Sequence, residues 1–277
     1  MAIQLVIKFE KYVDEIFTLE SKTSLITNKD YNFSGAKTIK VYKVSTGKMN
    51  DYDRAGTGAH WSRYGEVQGL DAITEEFTIS KDRSFTFAID KMDAEETGDA
   101  LNASMALARQ QREVIIPEVD AYVYKVICDN AGHKPDATGL TSTNIYDEIL
   151  KASQALDDAF VPETGRVLLV TPQTYKIMKQ CKDITLETDI GQDMRLRGVV
   201  SNLDGATVIK VPANRVPEKF GFTLLHPVAT VAPVKLADYK VHDNPPGING
   251  YLVEGRIYYD AFVLDNKKMA IYYQATL

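Results

Sequence analysis

The run from Ala94 to Gly132, with Arg112-Glu-Val-Ile-Ile-Pro-Glu-Val-Asp-Ala-Tyr-Val-Tyr-Lys-Val126 at its centre, decides how the rest of this chain is read. Leu101, Met105, Ala108, Ile115, Val119, Tyr122 and Val126 recur at steps built from three and four residues. That spacing lays apolar side chains along one face of a helix, and only Arg112 interrupts the stripe. Asp93, Glu95 and Glu96 put negative charge at the N-terminal end, where the helix dipole favours it. Asn130 and Gly132 supply a stop. Pro117 predicts a kink or a split near Ile115, because proline removes one main-chain hydrogen bond and crowds the preceding turn. At 1.5 Å per residue the whole run would be roughly 55 to 60 Å long, about twice the diameter of a small domain. A helix of that length reaches beyond one compact core and predicts an extended molecule.

The chain around it has 277 residues, 44% hydrophobic and 25% charged, enough for a buried core in one large domain or two smaller ones. A net charge of -6 excludes a general nucleic-acid binder. The charge is uneven: the first 50 residues carry eight lysines against five acids, or +3, which leaves -9 for the remainder. That basic arm reads as a solvated lysine-rich segment, with contact to an acidic surface or nucleic acid as the alternative. Cys128 and Cys181 belong to no C-x-x-C pair and fit a reducing cytoplasm. The start meets Lys8 too early for a secretory signal, and no apolar run approaches the roughly 18 residues that span a bilayer, so no membrane is expected.

In chain order, residues 1 to about 36 hold a short helix at Lys11–Leu19 and need another surface to lie on. Lys37–Val44 alternates as a strand. Ser45–Gly69, rich in glycine, aspartate, arginine and aromatics, is too long for an internal connection and predicts a projecting loop. Glu76–Ile79 and Ser84–Ile89 alternate about Ser80-Lys-Asp-Arg83 and predict a hairpin. His133–Gly139 is a loop and a candidate domain boundary. Asn144 caps a predicted helix from Ile145 to Phe160 with Ile149, Ala152 and Leu156 inward, and Arg166–Val170 is an apolar strand. Thr171-Pro172 opens a helix to about Cys181, and Glu187–Arg197 is a polar loop. Strands at Gly198–Val200 and Thr207–Val211 flank Asp204-Gly205, giving a compact α/β unit. From Phe222 onward short strands predict a terminal antiparallel sheet.

Chemistry is hard to place on this chain. His60, His133, His226 and His242 are scattered, with no helical i, i+4 pair for zinc. Asp51-Tyr-Asp-Arg-Ala-Gly56 begins like a calcium loop but has Ala55 in place of an oxygen ligand and Ser62 where a bidentate glutamate is required. Gly56-Thr-Gly58 lacks the third glycine of a dinucleotide fingerprint, and Ser45-Thr-Gly-Lys48 has Tyr42 where a phosphate loop needs glycine. No G-x-S-x-G occurs. No catalytic residue, metal ligand or cofactor follows. Tyr52, Arg54, His60, Trp61, Arg63 and Tyr64 instead crowd the long loop, and such residues are enriched at protein interfaces. Arg54, Trp61, Arg63 and Tyr64 are the candidate contacts to another subunit; the bland alternative is a loop folded back on its own domain.

Val114-Ile-Ile-Pro-Glu-Val-Asp-Ala-Tyr122 resembles a block of tailed-bacteriophage major capsid proteins of the Hong Kong 97 fold. In order along the chain, Asn32-Phe-Ser-Gly-Ala-Lys-Thr-Ile-Lys-Val-Tyr42 resembles the entry to that family's extended loop. Asp82-Arg-Ser-Phe-Thr-Phe-Ala-Ile-Asp90 resembles the strand leaving it. Asp204-Gly-Ala-Thr-Val-Ile-Lys-Val-Pro212, and Pro245-Pro-Gly-Ile-Asn-Gly-Tyr251 through Tyr259-Asp-Ala-Phe262, are similar to later blocks. The resemblance implies an α+β fold of four parts: an N-terminal arm and first strand at 1–44, and an extended β-hairpin loop at 45–90. A peripheral domain with the long spine helix follows at 91–140 and 223–277, and an α/β axial domain at 141–222.

It also implies a structural, non-enzymatic coat protein that assembles with itself as hexamers and pentamers into an icosahedral shell around double-stranded DNA, in the virion and from the bacterial cytoplasm. Its implied partners are scaffold, portal and decoration proteins. Some relatives begin with a scaffolding segment removed by a protease, and this chain begins almost at the arm, so a separate scaffold or a processed form is expected. Some relatives crosslink Lys to Asn; Lys48 invites the idea, but no matching Asn or acid is identifiable. The rivals are an encapsulin-like compartment on the same fold, an α/β enzyme with its site within Ile145–Val211, and a phage tail or connector component.

Overall fold

The computed structural model describes residues 21–31, 38–56, 58, 61–96, 102–186 and 202–277. The helix expected at Lys11–Leu19, the loop Glu187–Arg197, the strand Gly198–Val200 and His60 lie outside those residues. The chain divides into two compact units, Phe33–Ile79 and a larger one of Met1–Asn32 with Ser80–Leu277.

In the smaller unit, β1 (Thr38–Val44) pairs antiparallel with β2 (Ala72–Thr78), in register from Thr38 opposite Thr78 to Val44 opposite Ala72. Threonine, valine and isoleucine suit these pleated positions, and Lys40–Glu76 at 2.5 Å and Lys43–Glu75 at 3.1 Å bridge the strands. The hairpin is therefore β1 with β2, and residues 45–71 form its long loop. The hairpin expected about Ser80–Arg83 does not form. β3 (Lys81–Asp90) pairs along its whole length with β10 (Gly250–Tyr259), which is remote in sequence and hidden from any local pattern.

The larger unit is built on a five-stranded sheet in the order β12-β7-β4-β6-β5. Its strands are β4 (Val167–Val170), β5 (Asn202–Leu203), β6 (Ala206–Lys210), β7 (Phe220–Leu225) and β12 (Ile271–Ala275). β4 and β6 run parallel, joined through helix α5 (Pro172–Gln180), so the predicted strand–helix–strand unit is present. Val167-Leu-Leu-Val170 is buried at every position because helices cover both faces. Leu168 and Val170 pack with Ile145, Ile149, Ala152 and Leu156 of α4 (Ile145–Asp158) and with Met178 of α5. Val167 and Leu169 pack on the opposite side, with Val123, Tyr124, Ile127 and Cys128. Thr171 Oγ1 accepts the Thr174 N–H at 3.1 Å, as an N-cap should. Asn144 instead braces the preceding turn, accepting from Thr141 N–H at 2.8 Å and donating to Gly139 O at 2.8 Å.

The strands after Phe220 do not make one terminal sheet. β7 and β12 join β4; β9 (Val234–Asp243) and β10 join β3; β8 (Thr230–Val231) pairs with β11 (Phe262–Val263). Gly255 in β10 has Phe85 opposite on one side and Tyr239 on the other, and a Cβ there would lie 2.2 Å from the Phe85 ring. The two rings, 6.1 Å apart, occupy the space a larger residue would need.

The long helix is segmented. α1 (Lys91–Glu96) follows β3 directly, α2 (Ala103–Gln110) begins beyond Asn102, and a π-helical turn (Gln111–Ile115) leads into α3 (Ile116–Asp129). Ala103 to Asp129 is continuous helix, about 40 Å at 1.5 Å per residue. The break falls where Pro117 predicts it, with proline in the first turn of α3. A π turn adds a residue and so rotates everything beyond it. The stripe is already displaced before that turn, where Met105 is exposed and Ala103 buried, and the deeply buried residues of α3 are Asp120, Val123, Tyr124, Ile127 and Cys128, in place of the expected Val119, Tyr122 and Val126. Those three are only half-buried.

Candidate assembly surfaces

The loop of the smaller unit is stitched across its width by short-range polar contacts. Ser45 and Asp71 exchange hydrogen bonds at 2.9 Å, and Lys48 N–H donates to Gln68 Oε1 at 3.3 Å. Asn50 Nδ2 donates to the Tyr64 and Glu66 carbonyls at 3.3 and 3.2 Å. At the tip, Asp53 accepts the Gly56 and Gly58 N–H groups at 2.8 and 2.6 Å, so the carboxylate that suggested calcium closes a turn. Gly56 adopts φ 69, and the Arg63 side chain lies alongside it.

All four predicted contact residues, Arg54, Trp61, Arg63 and Tyr64, are exposed in this one tip, and Trp61 is 91% exposed. Tyr52 meets Tyr64 edge to face at 5.1 Å. Met49, Val67, Leu70 and Ile73 add exposed apolar area along the same unit. Single exposed apolar residues are ordinary, whereas here several share one small unit.

Two buried carboxylates organise the larger unit, and the sequence reading passed over both. Asp120 of α3 is 1% exposed and Arg215 is 5% exposed. Arg215 Nη1 donates to Asp120 Oδ2 at 2.8 Å, and Ser21 Oγ donates to Oδ1 at 2.6 Å. Burial raises the Asp120 pKa above its ordinary value, while Ser21 and Arg215 pull it back. Residues 21–31 are held further by the wholly buried Ile26, by Thr230 Oγ1 donating to Ile26 O, and by Asn28 N–H donating to Thr230 O at 2.7 Å. Within the early chain, residues 21–31 lie on the protein's own body.

The second carboxylate is Asp260, 4% exposed. It accepts from Ser80 N–H at 2.7 Å, Ser80 Oγ at 2.9 Å, Tyr122 OH at 2.7 Å and Ala261 N–H at 2.8 Å. Ser80 is the first residue after the smaller unit, so the carboxylate ties that point to α3 and to the end of β10. Burial first, then the Asp260 contact, pushes the Tyr122 phenol up. The one signal in sequence for either acid was its place within an apolar run: Val119-Asp-Ala-Tyr122, and Tyr258-Tyr-Asp-Ala-Phe262.

Among the described residues no cluster of His, Cys, Asp and Glu could hold a metal ion, and no helix is long and apolar enough to cross a membrane.

The fold defined by these sheets and the segmented spine is an α+β capsid fold. It matches a solved chain of Mycobacterium phage Che8 with a TM-score of 0.78 at 16% identity, covering 99% of this chain and 97% of that one. A chain from the capsid structure of the cyanophage P-SCSP1u matches with a TM-score of 0.78 at 14% identity, covering 98% and 93%. One from the capsid of the Myoviridae phage XM1 matches at 0.66 and 12% identity over the full length of both. No curated protein matches in sequence. The family model described as phage capsid protein matches residues 74–273, and the chain belongs to that family. It is a structural phage capsid protein and not an enzyme, and the match decides between the two kinds of shell weighed from sequence in favour of the virus.

Proposed function

We propose that this chain is the coat protein of a tailed double-stranded DNA phage, assembling as hexamers and pentamers into an icosahedral shell with the genome against its inner face. The observation that carries the reading is the family match over residues 74–273, in a chain whose four predicted contact residues share one exposed loop tip. In this reading residues 1–44 are arm and first strand, and 45–90 are the extended loop. Residues 91–140 with 223–277 are the peripheral domain carrying the spine, and 141–222 the axial domain. The separate compactness of Phe33–Ile79 supports the loop assignment as far as Ile79, while β3 pairs with β10 in the larger unit.

The loop tip, with Arg54, Trp61, Arg63 and Tyr64, lies on a neighbouring subunit, where aromatic rings and guanidinium groups bury large area and pair with carboxylates. The scaffold, portal and decoration proteins of such phages are its partners, and assembly occurs in the host cytoplasm before the shell becomes the virion. Mechanism here is geometric: each subunit buries surface on its neighbours, so shell stability is shared and depends on concentration. Coexpression with a candidate scaffold, followed by electron microscopy, tests the reading. Closed shells of hexamers and pentamers are expected, whereas open tubes or rings alone would favour a tail or connector role.

A further inference from the structure

A turn in the larger unit carries a feature that its own core does not explain. Helix α4 ends at Asp158, and Phe160 follows with φ 56. Phe160 N–H donates to Asp157 O at 2.9 Å and Val161 N–H to Leu156 O at 3.0 Å. Helices usually make this left-handed closure with glycine, because a side chain is crowded there. Among the described residues the other non-glycine positive φ values belong to Asp204, Lys219 and Asn244, all polar. A bulky apolar residue in this region is an outlier. Packing does not compensate: Phe160 is 95% exposed, more than any other large apolar side chain described in the larger unit.

The turn is braced from beneath. Arg166, 3% exposed, donates through Nε to Pro162 O at 2.9 Å and through Nη2 to Val161 O and Asp157 Oδ1, both at 2.6 Å. Its Nη1 reaches Ser153 Oγ at 3.3 Å, and His226 Nε2 lies 3.1 Å from Thr164 O. Strain of this kind persists where the surroundings over-determine it, and it clusters at functional positions. A rigid aromatic on a fixed turn loses little freedom on docking, which is what an interface anchor requires. Asp157 is neutralised by Arg166, and exposed Asp158 and Glu163 leave negative charge beside the ring.

The complement lies at the other end of the same sheet. Phe160 stands before the start of β4, whereas Lys210 ends β6 opposite Val170, the last residue of β4. There Lys179 and Lys210 hold their Nζ atoms 5.3 and 4.6 Å from the Tyr175 ring, and exposed Lys176 adds a third charge on α5. One end is acidic around an aromatic, the other basic, and head-to-tail contact between unlike ends of identical subunits forms rings where the rotation closes.

We propose that Phe160 is a preformed knob that docks on the lysine-rich end of this sheet, around α5 and Lys210, in a second copy of the chain. The proposal rests on the shell-forming reading. Phe160→Gly and Phe160→Asn relieve the backbone while removing the knob. Each variant, unassembled, is expected to melt at or above the parent temperature, and the concentration for half-maximal assembly should rise at least about tenfold. Variants that assemble as well as the parent overturn the proposal alone, and variants that melt early assign Phe160 to its own fold and overturn it too. A parent that never assembles overturns the shell reading and the proposal together. Phe160→p-benzoylphenylalanine, photolysed in mixed heavy- and light-isotope assemblies, should crosslink to residues 172–180 or Lys210 of another copy. Adducts confined to other regions contradict that docking end.

Discussion

Arg215 and Asp120 stand 95 positions apart in the chain and meet at 2.8 Å between Nη1 and Oδ2, both side chains almost excluded from water. A charge on a helix face buried against a sheet is tolerable only with such a partner, since the desolvation cost of either ion alone is several kcal/mol.

Removing one partner should therefore cost more than removing both. Arg215→Ala strands a buried carboxylate and is expected to lower the stability of the unassembled subunit by about 3–5 kcal/mol. The double variant Asp120→Leu with Arg215→Met should recover most of that loss. Urea unfolding of the three proteins checks the ordering, and a double variant as unstable as Arg215→Ala would contradict it.

The Asp260 node makes a parallel expectation at the end of the smaller unit. Tyr122→Phe removes one hydrogen bond to a carboxylate and should cost about 1.5–3 kcal/mol. Asp260→Ala, which orphans Ser80 N–H, Ser80 Oγ and Tyr122 OH together, should cost more. Thermal unfolding measures both, and equal effects would mean the node is not a network.

Burial pushes the Cys128 thiol up to about 12 from an ordinary value of 9.0. Between those two pH values the unfolded chain releases this proton while the folded chain keeps it. The unfolded state then binds fewer protons, so stability falls as pH rises. The Tyr122 and Tyr124 phenols, also raised, act in the same direction. Cys128→Ala should flatten the decline in urea midpoint as pH rises from about 9 towards about 12. An unchanged slope would show that the thiol is not the group involved.

Trp61→Ala separates folding from assembly. With the indole 91% exposed, the variant's subunit stability should stay within about 0.5 kcal/mol of the parent, while its shell yield falls. Unaltered yield would remove Trp61 from the interface.

Much of this fold was legible locally. Thr171-Pro172 announced its helix, Val167–Val170 its buried strand, and Pro117 the break in the spine. What stayed hidden was either non-local or displaced in phase. β3 finds β10 across some 160 positions, so its apparent hairpin with β2 was an accident of adjacency. α3 turns inward a face that includes Asp120, and a stripe chosen for apolar side chains takes Val119 in its place and misses the ion pair. The long exposed loop was readable from its length and composition; the Arg166 brace beneath Phe160 was not, because it depends on backbone geometry.

Electron microscopy of the purified full chain, alone and with a candidate scaffold protein, tests the central claim most directly. The account predicts closed shells built from six- and five-fold units. A uniformly monomeric product at every concentration, with scaffold present, would contradict it.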